Sequence, residues 1–253
     1  MLWAKAEQCC LKVNLEIDIG LHRGGFTDPD QLAEALELIR CSPQYLQLSG
    51  LMGYDAHISQ IPKLLGSSSR LYQKTQTRYQ AFIDRIHAIF PDLHLSDLSL
   101  NGAGSATLMH HLDESVCNDL SFGSLLLKPA DFELEALTEM QTALWIATPV
   151  LKYQHDLQLP ELEKLSRLAP FSGIFVYGGY WRGQAAYPEG ATLQVLYGRS
   201  SNQEMWQIPK KNDLAVGDYL FIHPSQSEST IPQFAHIYAY DGESFEVWTT
   251  FRE

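Results

Sequence analysis

Cysteine is scarce in this chain: four thiols, Cys9, Cys10, Cys41 and Cys117, in 253 residues. They show no zinc-ligand spacing and are too few for a disulfide scaffold in a chain this long, so reduced, buried thiols are expected. Long apolar runs are missing too. No stretch approaches the roughly 20 residues that span a bilayer, and the opening "MLWAKAEQCCLKV" lacks the apolar core and cleavage site of a signal peptide. Basic residues are outnumbered, 18 Lys and Arg against 30 Asp and Glu, for a net charge of -12. That balance argues against a nucleic-acid surface, which needs clustered Lys and Arg. Low-complexity linkers and internal repeats are absent as well. The expectation is a soluble cytoplasmic protein with no nucleic-acid or membrane partner, and 45% hydrophobic residues suffice for a substantial core.

"EIDIGLHRGGF" (16–26) poses the first structural question. Ile17 and Ile19 alternate with Glu16 and Asp18, and Val13, Asn14 and Leu15 extend the period-two pattern of a strand with one apolar face. This strand runs into His22, Arg23 and two glycines. Asp28-Pro29 then reads as an N-cap and first helical residue, with Gln31 spaced to close a capping box. In a βα barrel, apolar positions of such a strand face the helices, and polar groups at its C-terminal end face the active site.

The same grammar continues. Leu32, Ala35, Leu36 and Ile39 give an amphipathic stripe, and "LSGLMGYDAH" (48–57) reads as a buried strand ending in a polar loop. A helix is expected from about Arg70 to Phe90, with Leu71, Tyr79, Phe82, Ile86 and Ile89 inward and Pro91 past its end. "LSLNGAG" (98–104) and "NDLSFGSLLL" (118–127) are further strand candidates. Alternation of this kind implies a parallel sheet with crossover helices. After about residue 140 short β-rich runs take over: "TALWIATPVL", "GIFVYGGYW", "TLQVLYG", "DYLFIH", "HIYAY" and "SFEVW", with turn signals at Val216-Gly217-Asp218 and Asp241-Gly242. The domain expectation is 1–139 and 140–253.

Four loops at successive strand ends are polar. The first carries His22 and Arg23, and the second Tyr54, Asp55 and His57. The third, "NGAGSAT", and the fourth, "FGS", offer backbone amides and hydroxyls suited to a phosphate. Each has an ordinary reading alone: a GxG turns the chain, a histidine hydrogen-bonds, and Arg23 pairs with a carboxylate. His110-His111 with Asp113 and Glu114 is a poor metal set, because adjacent histidines point apart.

Taken in order, "EIDIGLHRGGF", "LSGLMGYDAH", "NGAGSAT", "NDLSFGSLLLKPADF" and "GDYLFIHPSQSE…QF" resemble the D-threonine aldolase/D-serine dehydratase-like family. These are fold-type III pyridoxal-phosphate enzymes related to alanine racemase, and the likeness runs from about Leu11 to Trp248. The resemblance implies an α/β fold, here a partial βα (TIM-type) barrel followed by a mostly antiparallel β domain. It implies Arg23 beside the cofactor ring and His57 packed near that ring. It also implies Asn101, Gly104, Ser105, Gly123 and Ser124 around the phosphate, and Tyr177 and Tyr180 on the substrate side. It further implies a small-molecule D-amino acid as substrate. Related enzymes often complete their sites at a dimer interface, so a homodimer is one option and the oligomeric state stays open.

Two departures stand out. In the family, the lysine that holds the cofactor covalently ends the first barrel strand, well before the "EIDIG" block. Here Lys5 and Lys12 match no such motif, so the chain reads as a C-terminal portion of a longer enzyme or as a non-catalytic relative. In metal-binding members, a histidine with a cysteine or aspartate holds the ion. The corresponding positions here are Gln226 and Glu228, with His223 as one replacement ligand, so no metal is expected and both side chains are assigned to the substrate. Aldol cleavage, elimination and racemisation stay open.

Overall fold

In a computed structural model describing residues 1–251, the chain forms two compact units, 1–123 and 124–253. The series of 3-10 turns between Ser124 and Leu137, which sequence alternation grouped with the barrel portion, lies within the second unit.

The first unit opens with α1 (Leu2–Ala6), β1 (Leu11–Ile17), α2 (Pro29–Arg40) and β2 (Leu46–Gly53). It continues with α3 (His57–Gln60), α4 (Ser68–Ile89), β3 (Ser99–Gly102) and β4 (Asp119–Leu120). The four strands pair in parallel in the order β1-β2-β3-β4, the simple succession of βα-barrel strands. Ile17 and Ile19 pack with Leu32, Leu36, Tyr79 and Phe82 into one core, as the alternation and the helical stripes require. Asp28 caps α2 by accepting from the Asp30 amide at 2.7 Å. Gln31 does not close the box: its side chain accepts from Thr27 Oγ1 at 3.2 Å instead. The fourth strand is only two residues long, and a 3-10 helix follows at Ser124–Leu126 where the sequence predicts continued strand.

The second unit contains β5 (Ile146–Gln154), α5 (Glu163–Ser166), β6 (Phe171–Tyr177), β7 (Gly183–Tyr187), β8 (Thr192–Leu193), β9 (Gln203–Pro209), β10 (Tyr219–Pro224), α6 (Ser227–Thr230), β11 (His236–Tyr240) and β12 (Phe245–Thr249). Six strands form an antiparallel sheet, β7-β10-β5-β6-β9-β8, and β11-β12 is a separate hairpin. Ile146, Val150, Ile174, Trp206, Ile208 and Leu220 form its core. Sequence reading missed β7 and β9. In β9, "QEMWQIP" breaks alternation because Glu204, only 1% exposed, is buried against Arg199 at 3.3 Å. "TLQVLYG" yields only the two-residue β8.

All four cysteines are free, but none is fully buried: Cys10 and Cys41 are exposed, Cys9 and Cys117 half-buried. Burial pushes the Cys117 thiol up to about 11, which keeps it protonated. Among the described residues no helix is long and apolar enough to cross a membrane.

One tertiary contact braces the strand ends that carry the loops. Tyr79, fully buried on α4, directs its hydroxyl between the carbonyls of Leu51 on β2 (3.2 Å) and Asn101 on β3 (3.0 Å). Tyr79→Phe leaves the ring packing intact and strips both carbonyls of their donor. Denaturant unfolding should show a loss of about 1–2 kcal/mol. An unchanged midpoint would contradict the bracing role.

Candidate functional site

The site of the first unit is built where the parallel strands end. After Ile17, Asp18 is buried, and its carboxylate accepts from the amides of Gly20 (2.9 Å) and His22 (3.0 Å) and from His22 Nδ1 at 2.7 Å. Arg78 of α4 lies 4.0 Å away. Burial pushes the Asp18 carboxyl up, but the hydrogen bonds from Gly20 and His22 outweigh it and hold the group below its ordinary range. Wrapping around this anion puts His22 in the left-handed region, at φ +58°, and turns Arg23 outward.

Arg23 does not pair with a carboxylate among the described residues. Its guanidinium sits over the Tyr54 ring, 4.5 Å from the centroid. Glu16, Asp18, Leu21, Arg23, Gly24 and Tyr54 line a shallow hollow at this point. Tyr54 in turn lies on the third loop. A Cβ at Gly104 would meet Tyr54 Cε2 at 2.5 Å, so glycine is required for this contact. Arg23, Tyr54 and Gly104 thereby stack three strand-end loops on one another.

His57 begins α3, with its ring against Gly20, where a Cβ would come within 2.9 Å of Nε2. Gly20 also has φ +128°, which a side chain would strain. Thr75 lies 3.5 Å from His57 Nε2, while Nδ1 is buried with no hydrogen-bond partner among the described residues. Burial lowers the His57 pKa despite the nearby Asp55 and Asp18 carboxylates.

Asp55, which the sequence placed in the same loop, is fully buried and serves as an anchor. It accepts from Thr107 Oγ1 at 2.6 Å and pairs with His111 Nε2 at 2.8 Å, while His111 Nδ1 meets Ser115 Oγ at 2.8 Å. Both adjacent histidines pack on Tyr72, His110 stacked with ring centroids 5.6 Å apart and His111 edge-on at 5.0 Å, but only His111 reaches Asp55.

Beyond β3 and β4 the polar groups gather. Asn101 Nδ2 donates to Ser121 Oγ at 2.8 Å, and the Gly123 amide donates to Ser105 Oγ at 3.2 Å. Ala103, beside Gly104, is left-handed at φ +68°. A Cβ at Gly123 would meet nothing within 4 Å, so open space lies beside that amide. Hydroxyl and amide donors next to open space suit an anionic oxygen group. Ser121 was not named from the sequence; its only signal was its place one residue after the fourth strand.

The second unit holds the remaining candidates. Ser124 is buried and donates to Glu228 Oε1, and Ser227 Oγ donates to Glu228 Oε2 at 3.2 Å. Gln226 is exposed at the N-cap of α6, where its carbonyl accepts from Thr230 Oγ1 at 2.7 Å. His223 Nε2 is 2.8 Å from the Lys128 carbonyl. Tyr177 and Tyr180 are exposed, Tyr180 with φ +57°.

The Asp18 geometry carries a pH prediction. A carboxylate with a lowered folded-state pKa contributes stability that is present above its unfolded value, about 3.9, and lost as pH falls through the folded value. At pH 7, Asp18→Asn should lower stability by about 1.5–3 kcal/mol, as for hydrogen bonds to a charged group. In denaturant titrations, that gap should shrink as pH drops below about 4. A gap unchanged down to pH 2 would show that Asp18 is not a stabilised anion.

Residues 2–130 match the family described as "Alanine racemase, N-terminal domain". No curated protein matches the chain at the sequence level. Among solved structures, D-threonine aldolase from Filomicrobium marinum superposes over 97% of this chain and 64% of its own, with a TM-score of 0.73 and 16% identity. D-threo-3-hydroxyaspartate dehydratase from Delftia sp. HT23 matches 100% of this chain and 69% of its own, TM-score 0.71 and 13% identity. For alanine racemase of Clostridium difficile 630 the shares are 98% and 70%, TM-score 0.64 and 16% identity. The chain thus spans less than two thirds of that aldolase's length. These likenesses in fold run through both units, and the match over residues 2–130 places the chain in the alanine racemase N-terminal domain family.

Proposed function

We propose that this chain belongs to a pyridoxal-phosphate enzyme of the D-threonine aldolase or D-serine dehydratase type, acting at Cα of a small D-amino acid. The observation that carries the reading is the arrangement at the strand ends: a cation stacked on Tyr54 beside a cluster of amide and hydroxyl donors. The residues fit the cofactor. Ser105, Ser121, Asn101 and the Gly123 amide would hold the phosphate, Gly104 permits the loops to close, and Arg23 and His57 would flank the ring. When bound, the cofactor supplies an electron sink for the bond broken at Cα.

This chain's own residues then have defined tasks. Arg23 presents positive charge beside the ring and, through Tyr54, fixes the spacing between the first loop and the phosphate loop. His57, whose pKa burial lowers, supports the ring. In the second unit, Gln226 and Glu228 are proposed to meet the substrate by hydrogen bonds, with Tyr177 and Tyr180 on the same side of the reaction. Gln226 offers a neutral amide, and His223 Nε2 is already turned to the Lys128 carbonyl, so this donor set is poor for Zn²⁺ or Mn²⁺.

The covalent lysine is proposed to come from outside these 253 residues. Lys5 lies in α1 with its ammonium 5.5 Å from the Tyr45 ring centroid, and Lys12 is the second residue of β1, at the end opposite the polar loop.

Two measurements test the reading. Arg23→Ala should weaken pyridoxal-phosphate binding by about 10- to 1000-fold, on the order of 1.4–4 kcal/mol, with little change in stability. Wild-type affinity would reassign Arg23 to packing on Tyr54. Borohydride reduction of the mixture, followed by peptide mapping, should label no lysine stoichiometrically. One fully labelled lysine would overturn the assignment of that group to another segment.

A further inference from the structure

We infer that His22 is a proton-transferring residue of the first unit's site, held for that task by Asp18 as its positioning residue. Its role in turnover rests on the cofactor reading above, whereas the dyad itself does not. His22 directs Nδ1 to the buried Asp18 carboxylate at 2.7 Å, while 71% of its side chain is exposed. No hydrogen bond among the described residues engages Nε2. The carboxylate fixes the tautomer with the proton on Nδ1, leaving the Nε2 lone pair as a base toward solvent and any ligand.

Three further observations converge on a functional role. His22 keeps its side chain at φ +58°, a conformation that costs free energy in a non-glycine residue and gathers at working sites. It directly precedes Arg23, whose side chain lines the hollow with Asp18 and Tyr54. His111, by contrast, is also paired with a buried aspartate, yet its side chain is 1% exposed and both nitrogens are engaged, so it has no nitrogen to offer a ligand.

The step is a simple proton transfer. Nε2 takes the proton from the ligand's Cα–H, the C–H bonding pair stays with the ligand, and the imidazolium is stabilised by Asp18 until the proton returns. Racemisation and elimination both break this C–H bond, and aldol cleavage forms it on product release, so the assignment does not depend on which reaction operates. Among the described residues, Asp18 pairs with the imidazole, Arg78 lies 4.0 Å from the Asp18 carboxylate, and His57 is near enough to feel the His22 charge; Arg23 is the next residue in the chain.

The first test needs no cofactor. In ¹⁵N NMR of histidine-labelled protein, with His22→Gln for assignment, neutral His22 should carry its proton on Nδ1, and Asp18→Asn should shift it toward Nε2. A neutral His22 protonated on Nε2 in the wild type overturns the dyad. The second follows deuterium uptake at Cα of D-serine in D₂O with pyridoxal phosphate present. His22→Gln should slow uptake by at least about 100-fold, within the range for general acid–base groups, and leave the bound cofactor's visible spectrum unchanged. Wild-type uptake by His22→Gln overturns the transfer role, and so does loss of the cofactor itself, which would make His22 a binding group. A wild-type chain that binds no cofactor fails the reading under Proposed function, and the tautomer measurement still decides the dyad.

Discussion

The buried Asp18 carboxylate is the constraint on which the first strand-end loop depends. A charge removed from water must be met by donors, and here the donors are the amides of Gly20 and His22 and the His22 ring. Satisfying them curls the chain back on itself immediately after β1. That curl determines where everything downstream points: His22 outward with one nitrogen fixed, Arg23 over Tyr54, and Gly20 close enough to His57 that no side chain fits between them.

The other loops are tied by the same logic. Asp55 is a second buried anion, and it holds the third loop through Thr107 and His111. Tyr54, its neighbour in sequence, is left to stack between Arg23 and Gly104. Two adjacent residues thus divide the work, one anchoring the loop from inside and one presenting a ring at its surface. The anchored loops gather hydroxyls and amides at Asn101, Ser105, Ser121 and Gly123, with open space beside Gly123, the chemistry a phosphate recognises. Tyr79 ties the underlying strands from below.

Much of the first unit was legible because its signals are local. Period-two alternation marked β1, the 3.6-residue stripe marked α2 and α4, and Asp28-Pro29 marked where α2 starts. The second unit was harder for a physical reason. Its strand β9 buries a glutamate against an arginine that follows the two-residue β8, so the hydrophobic pattern that announces a strand is interrupted. The site showed a similar divide. Arg23 and the glycine loops stood out by residue type, whereas the role of Asp18 could not be read, because an aspartate on an alternating strand looks like a solvated polar position until its donors are known. Ser121 was hidden for the opposite reason: one serine after a weak strand carries no pattern at all.

The central claim is that the strand-end loops of the first unit form a cradle for a phosphate-bearing ring. A crystal structure of the protein with pyridoxal phosphate tests it most directly. The account predicts the phosphate against the Gly123 amide and the hydroxyls of Ser105 and Ser121, with the ring between Arg23 and His57. A phosphate bound elsewhere, or those groups left in their present hydrogen bonds at saturating cofactor, would contradict it.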